Sequence, residues 1–137
     1  MKKALFVTAL ALLCIFSFGQ TIQKGSLMGI HVVVLKAGVS TQDYVNFCRT
    51  KWIPAFEKAY PGAKAYLLQS ARGIDSGSIG IIMMFKSEAD RNKYWTTTGV
   101  MTAAGQAASK KMADAIGKDE KFEDFSAPDK YNDWVIQ

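Results

Sequence analysis

The side chains best suited to acid–base chemistry are few and lie far apart along the chain. His31 is the single histidine, and imidazole is the side chain that exchanges protons most readily near neutral pH. It is the candidate catalytic base, although a histidine on a strand is also compatible with a structural role. No nucleophile–base motif, phosphate-binding glycine loop or group of residues at metal-ligand spacing accompanies it. We therefore expect no metal and no cofactor.

Aromatic side chains and an arginine form the second candidate group. These predicted ligand-pocket residues are Trp52, Tyr66, Arg72, Tyr94 and Trp95. Aromatic walls with a cation suit a flat apolar molecule that carries a carboxylate or a phenol. The alternative is that Trp52 and Trp95 fill the core and that Arg72 is solvated at the end of a strand.

The beginning of the chain has the pattern of an export signal. Two lysines precede an apolar run over residues 4–18, and small residues suited to a cleavage site follow. The run is shorter than the roughly 20 residues needed to cross a bilayer. We predict a signal peptide over residues 1–19, cleaved before Gln20, and hence a periplasmic or secreted protein. An uncleaved signal would be its only attachment to a membrane.

Composition predicts one small domain without a nucleic-acid surface. The chain has 137 residues and a net charge of +5, a length typical of a single domain. Two of the positive charges, Lys2 and Lys3, belong to the signal. The longest basic run after it is Lys110 and Lys111, which is too little for a nucleic-acid-binding patch.

The acidic residues and the cysteines are interpreted as structural. Asp43, Glu88 and Asp90 lie at predicted helix starts, where negative charge favours the helix dipole. Cys14 leaves with the signal, so Cys48 has no intramolecular partner. A free cysteine within an amphipathic pattern usually acts as a small core residue. An intermolecular disulfide or a reactive thiol is the alternative.

Hydrophobic patterning predicts the strands that must position these side chains. Residues 28–36 and 78–85 are apolar on both faces, residues 63–72 alternate, and residues 131–137 form the last strand. The short separation of the second and third strands predicts a hairpin. A flexible segment over residues 20–27 is expected before the first strand.

Two helical regions lie between these strands. Ser40 and Ser87 are the predicted N-caps, and each has an aspartate three residues further on. Pro54 lacks a backbone donor, so the first region is expected to kink or restart near Trp52. The second region is expected to break at residues 96–99 before a longer helix.

The resulting order is β-α-β-β-α-β, an α+β arrangement with an antiparallel sheet and both helical regions on one face. Because residues 28–36 and 78–85 are apolar on both sides, the second face of the sheet must also be covered. The charged loop over residues 118–130 is a poor cover. The sequence therefore predicts a homodimer in which sheet packs against sheet.

Several stretches resemble known proteins. Residues 31–40 (HVVVLKAGVS) resemble the first strand and helix start of the stress-responsive A/B barrel family. The stretches that resemble NIPSNAP-like proteins are residues 52–55 (WIPA), 60–62 (YPG), 85–91 (FKSEADR), Tyr94 and 132–135 (NDWV). Both groups belong to the dimeric α+β barrel superfamily, which also includes proteins like the antibiotic-biosynthesis monooxygenases.

The resemblance implies a ferredoxin-like domain over residues 28–137, a dimeric barrel, and a ligand pocket between sheet and helices. Because that superfamily contains enzymes and plain binding proteins, the fold says little about function. The preferred interpretation is an exported dimer that binds a small hydrophobic or aromatic molecule. The alternatives are a cofactor-free monooxygenase or cyclase that uses His31, and a non-catalytic interaction module. The cyclases of this kind use a second histidine, which this chain lacks.

Overall fold

The computed structural model describes residues 22–117, 121–124 and 130–137, so the predicted signal peptide lies outside the described residues. The predicted order of elements is confirmed. The elements are β1 (Leu27–Val33), α1 (Thr41–Phe47), a π-helical turn (Cys48–Trp52), α2 (Ile53–Ala59), β2 (Ala63–Gln69), β3 (Ile79–Phe85), α3 (Glu88–Asn92), α4 (Ala103–Ile116) and β4 (Lys130–Val135).

The strands form one antiparallel sheet in the order β2-β3-β1-β4. The register places His31 of β1 between Ile81 of β3 and Tyr131 of β4, and Leu67 of β2 lies opposite Ile81. Residues opposite one another on antiparallel strands share a face of the sheet. This strand order, with the helices on one face, is the ferredoxin-like α+β fold that the sequence predicted.

The ends of the strands differ from the predicted ones. β1 begins at Leu27 and ends at Val33, whereas residues 28–36 were expected. Beyond it the Lys36 N–H donates to the Phe122 carbonyl (2.9 Å), and the Asp124 N–H donates to the Val34 carbonyl (2.8 Å). Residues 34–36 therefore leave the sheet and pair with residues 121–124. No local sequence pattern predicts this long-range pairing.

The two predicted serine caps are confirmed. The Ser40 Oγ accepts a hydrogen bond from the Asp43 N–H at 3.4 Å, and the Ser87 Oγ accepts one from the Asp90 N–H at 3.1 Å. Each bond satisfies a backbone donor that the first turn of a helix leaves without an intrahelical partner. The caps fix where α1 and α3 begin, and hence which side of each helix faces the sheet.

The predicted interruption before Pro54 is also confirmed, and it takes the form of a widened turn. Over Cys48–Trp52 the helix becomes a π-helix, in which the Ile53 N–H donates to the Cys48 carbonyl. Proline has no N–H to continue the regular pattern, and its ring presses on the preceding turn. The wider π-turn accommodates that ring, so the chain continues from α1 into α2.

The main core lies between α2, α4 and the half of the sheet formed by β2 and β3. Phe56 is 2% exposed, and its ring stacks between Trp52 (centroids 5.1 Å apart) and Tyr60 (4.8 Å). Tyr60 stacks in turn on Trp95 at 5.1 Å. Each fully buried aromatic side chain contributes about 1.5–3 kcal/mol by leaving water.

A second group of buried side chains lies beneath α1. Tyr44 and Cys48 are fully buried there, and they pack with Val33, Ile79 and Ile81 from the sheet. Cys48 is a buried cysteine, so the prediction that it is a core residue is confirmed.

The other side of the sheet, called the outer face below, is mostly apolar, with polar side chains at Lys64 and Asn132, and faces away from the helices. The alternation along the strands places there Met28, Ile30, Val32, Tyr66, Leu68, Ile82, Met84 and Trp134. Trp134 is 56% exposed and Tyr66 43%. Among the described residues, no helix covers this face.

Candidate functional site

The helix-facing side of the sheet is covered unequally. The helix α2 packs on β2 and on α4, and the residues of α1 pack on Ile79 and Ile81 of β3. The short helix α3 lies near the other end of β3. The half of the sheet formed by β1 and β4 carries polar side chains on the same side, at His31, Tyr131 and Asp133. Polar side chains therefore lie on the part of the sheet that the long helices leave uncovered.

A cavity of about 330 Å³ opens between α3, the end of β3 and β4. Its lining residues are Met83, Phe85, Arg91, Trp95, Gly99 and Tyr131. The volume lies at the lower end of the roughly 300–1,000 Å³ that is typical of small-molecule sites. The ring of Phe85 meets the ring of Trp95 edge to face, with centroids 6.1 Å apart, so two aromatic walls stand at a large angle to each other.

Arg91 is the charged residue of this cavity and is only 6% exposed. The cap at Ser87 places it on the inner side of α3. Its Nη1 donates to the carbonyl oxygens of Trp95 (3.2 Å) and Thr96 (2.6 Å), and its Nη2 lies 3.0 Å from the Asp133 Oδ2. The guanidinium thus joins α3, the loop after it and β4.

One donor of Arg91 is not used. Its Nε–H is buried and has no hydrogen-bond partner among the described residues. Leaving a buried polar group without a partner costs about 1–3 kcal/mol. An acceptor atom of a bound molecule that reached this N–H would remove that cost.

Tyr131 and Asp133 complete the cluster with Arg91. They lie two residues apart on β4 and therefore share a face, and the Tyr131 hydroxyl donates to the Asp133 Oδ1. A Cβ atom at Gly29, opposite Asp133, would lie 2.7 Å from the Tyr131 Oη and 2.9 Å from the Asp133 Oδ1. The cluster therefore fits because residue 29 has no side chain.

The environment keeps the phenol of Tyr131 protonated. Burial, followed by the hydrogen bond to Asp133, raises the pKa of Tyr131 to about 12, while Arg91 acts in the opposite direction. Burial disfavours the charged phenolate, and the nearby carboxylate repels it. At neutral pH the cluster therefore contains one cation, one anion and a neutral phenol.

His31 belongs to a neighbouring polar group. Its Nε2 lies 3.7 Å from the Glu123 Oε2, and the other oxygen of that buried carboxylate accepts a hydrogen bond from the Tyr44 hydroxyl at 2.7 Å. Burial, and then the Glu123 carboxylate, raise the pKa of Tyr44 above its ordinary value. The distance of 3.7 Å is too long for a hydrogen bond, so the His31–Glu123 attraction is electrostatic and requires a protonated imidazole.

The structure separates the predicted pocket residues. Trp95 lines the cavity. Trp52 stacks on Phe56, and Tyr94 meets Tyr60 edge to face, so both belong to the aromatic core. Tyr66 points to the outer face and Arg72 lies exposed beyond β2. His31 lies beside Tyr131 on the sheet but is not among the residues that line the cavity.

Sequence reasoning missed the cation and the polar partners of this cavity. Arg91 and Asp133 are 42 positions apart, and no motif connects them. One usable signal exists on β4, where Tyr131 and Asp133 alternate on one face of a strand. A second is the cap at Ser87, which fixes the orientation of α3 and so turns Arg91 inward.

A second depression, of about 400 Å³, lies between α1 and β2. Its lining includes Thr41, Gln42 and Arg49 on α1 and its continuation, and Leu67 and Gln69 on β2. No buried charge or ordered polar cluster faces it among the described residues. It therefore offers less than the Arg91 cavity for selecting a ligand.

Within the described ranges, no three His, Cys, Asp or Glu side chains come close enough to hold a metal ion. The described residues also contain no helix that is long and apolar enough to cross a membrane.

Comparison with known proteins supplies no family. No protein-family model matches the chain, and no curated protein matches it. It is similar to a solved structure, a dimeric protein of unknown function and ferredoxin-like fold from Bacteroides fragilis, with 14% identity and a TM-score of 0.41 over 82% of this chain and 98% of that one. The strand order of this chain itself defines its class, the ferredoxin-like α+β domains. Membership of the A/B barrel or NIPSNAP-like groups stays a prediction.

Proposed function

We propose that this chain is an exported, homodimeric protein that binds a small hydrophobic or aromatic molecule in the cavity beside Trp95. The observation that carries the proposal is the cavity of about 330 Å³ with apolar walls at Met83, Phe85 and Trp95 and fixed polar groups at Arg91 and Tyr131. Mostly apolar walls with a few placed polar groups are typical of small-molecule sites.

The walls of the cavity are held in place before any ligand binds. Trp95 stacks on Tyr60 (5.1 Å) and meets Phe85 edge to face (6.1 Å). The hydrogen bonds from Arg91 to the Trp95 and Thr96 carbonyls hold the loop that carries the indole. A preorganised wall costs little ordering entropy on binding, which favours a rigid, flat ligand.

Titration calorimetry with 1-naphthol tests the binding proposal. The variant Met83→Phe enlarges a side chain that lines the cavity. We expect it to weaken binding by about tenfold or more, because the larger side chain occupies volume that the naphthalene ring needs. Ile74→Phe in the fully exposed β2–β3 turn is the control and should bind like the wild type. Equal affinities for all three proteins would contradict binding in this cavity.

The export part of the proposal is supported by residues 1–19, which lie outside the described residues. Expression of the full chain in a Gram-negative bacterium, fractionation and N-terminal sequencing test it. The expected product is periplasmic or secreted and begins at Gln20. A soluble cytoplasmic product that retains Met1 would contradict export, and a membrane-bound one would indicate an uncleaved signal.

The homodimer part of the proposal is supported by the outer face. Most of the side chains on this face are apolar. Two of the large ones are widely exposed, Trp134 at 56% and Tyr66 at 43%. Such a continuous apolar surface usually marks an interface, and a second sheet is the partner whose shape fits a sheet. Sedimentation at micromolar concentration should show a dimer and Trp134→Lys a monomer, while Ile74→Lys in the exposed β2–β3 turn stays dimeric. A monomeric wild type would contradict the dimer.

A second candidate function is acid–base catalysis by His31. It is favoured by the buried Glu123 carboxylate, which lies 3.7 Å from the His31 Nε2 and is itself held by Tyr44. A carboxylate close to an imidazole stabilises the imidazolium that forms when a general base takes up a proton. The test is turnover of His31→Gln on any substrate found to react, where a loss of about a hundredfold is expected. Unchanged turnover would exclude this role.

A further inference from the structure

We infer that the cavity selects an uncharged ligand over an organic anion, and that Asp133 is the residue that sets this selectivity. The inference rests on the binding site proposed above and specifies the chemistry of its ligand. Aromatic walls with a cation are compatible with either a carboxylate or a phenol as the polar end of a ligand. The partners of Arg91 decide between them.

The positive charge of the cavity is already compensated. Of the described lining residues, Arg91 is the one with a formal charge, and the Asp133 Oδ2 lies 3.0 Å from its Nη2. The carbonyl oxygens of Trp95 and Thr96 accept both hydrogen bonds of Nη1. The guanidinium charge is therefore already paired with a carboxylate, and a ligand anion would have to compete with Asp133 for it.

The remaining polar groups also favour a neutral ligand. The Tyr131 hydroxyl gives its proton to Asp133, so its oxygen can accept a hydrogen bond from a ligand hydroxyl. The unpartnered Nε–H of Arg91 can donate to a neutral oxygen.

An anion would meet opposing charges in the same place. It would lose its hydration on entering an apolar cavity, which is costly unless an uncompensated cation replaces the water. It would also approach the carboxylate of Asp133, and the buried carboxylate of Glu123 lies on the same side of the sheet beside His31. No described lining residue supplies a second cation to offset the lost hydration and the repulsion by these carboxylates.

The experiment compares two probes of nearly equal shape, 1-naphthol and 1-naphthoate, near neutral pH by titration calorimetry. The wild type should bind 1-naphthol at least about tenfold more tightly than 1-naphthoate. Asp133→Asn leaves the Arg91 charge uncompensated and should raise the affinity for 1-naphthoate relative to that for 1-naphthol by about tenfold. The control is Asp114→Asn on α4, whose carboxylate is 67% exposed beside Lys110, and it should behave like the wild type.

Each result supports or overturns a distinct statement. Wild-type binding of 1-naphthoate as tight as that of 1-naphthol would overturn the charge selectivity while leaving the cavity as a binding site. An Asp133→Asn protein that remains folded and still rejects 1-naphthoate would overturn the role of Asp133. The wild-type comparison does not depend on any variant folding, and Asp133→Glu, which keeps the charge, should retain the preference. Failure of the wild type to bind either probe would overturn the proposed function itself.

Discussion

The two halves of the helix-facing side of the sheet differ in what fills them. Over β2 and β3, the helices α2 and α4 enclose a continuous stack of rings in which Phe56 is 2% and Tyr60 3% exposed. Beneath α3 and the loop after it, between Met83 and Phe85 of β3 and Tyr131 of β4, a cavity of about 330 Å³ lies beside an arginine that is 6% exposed. We call these the packed half and the hollow half.

The difference separates stability from specificity. Apolar aromatic packing stabilises the fold directly through the area removed from water. A buried ion pair such as Arg91–Asp133 contributes little net stability, although removing one partner leaves a costly unpaired charge. The packed half therefore supplies the stability, and the polar groups of the hollow half suit the binding role that we propose.

The largest expected effect is in the packed half. Phe56→Ala removes the ring between Trp52 and Tyr60 and should lower the free energy of unfolding by about 3–5 kcal/mol. Urea unfolding measures it, and Ile74→Ala, at a fully exposed position, should change stability by less than about 0.5 kcal/mol. A loss for Phe56→Ala below about 1 kcal/mol would contradict the tight packing assigned to this half.

A smaller effect is expected from filling space in the hollow half. Gly29→Ala places a Cβ atom 2.7 Å from the Tyr131 Oη and 2.9 Å from the Asp133 Oδ1. Moving both groups should cost about 1–3 kcal/mol of unfolding free energy. The loss of unfolding free energy caused by Gly29→Ala should be smaller in a Tyr131→Phe protein, because the Tyr131 Oη, the atom nearest to the new Cβ, is then absent. A double-mutant cycle by urea unfolding measures this coupling, and additive effects would show that Gly29 does not make room for the cluster.

The smallest effect is a pH dependence at high pH. The pKa of Tyr131 is raised from 10.0 to about 12, so the folded state holds the proton more tightly than the unfolded state. The resulting stability is complete below pH 10 and is lost as the pH rises to about 12. Discounted for the partial exposure of the ring, the loss is about 1 kcal/mol relative to Tyr131→Phe. Urea unfolding of both proteins across this window measures it, and parallel stability curves would contradict the assigned environment.

Local signals were sufficient for most of the fold. The caps at Ser40 and Ser87, the interruption before Pro54 and the core position of Cys48 all depend on residues within a turn or two of each other. The strand order follows from the predicted succession of elements. The end of β1 at Val33 could not be predicted from local sequence. Residues 34–36 pair instead with residues 121–124, which are distant in the sequence and meet only in the folded chain.

The site depends on contacts that the sequence does not encode locally. Alternation puts Tyr66 on one face of β2, but it does not say which face the helices cover. Arg72 and Arg91 both lie near aromatic residues in the sequence, and only the packing of α3 brings Arg91 against Asp133. Trp95 lines the cavity because it follows α3 closely and α3 is fixed by its cap.

The most direct test of the account is a crystal structure of the protein with 1-naphthol. We predict electron density for the naphthalene ring in the cavity against Trp95, with its oxygen within hydrogen-bonding distance of the Tyr131 hydroxyl or the Arg91 Nε. A cavity closed by the side chains of Met83 and Trp95, or a ring bound only at another surface, would contradict the central claim.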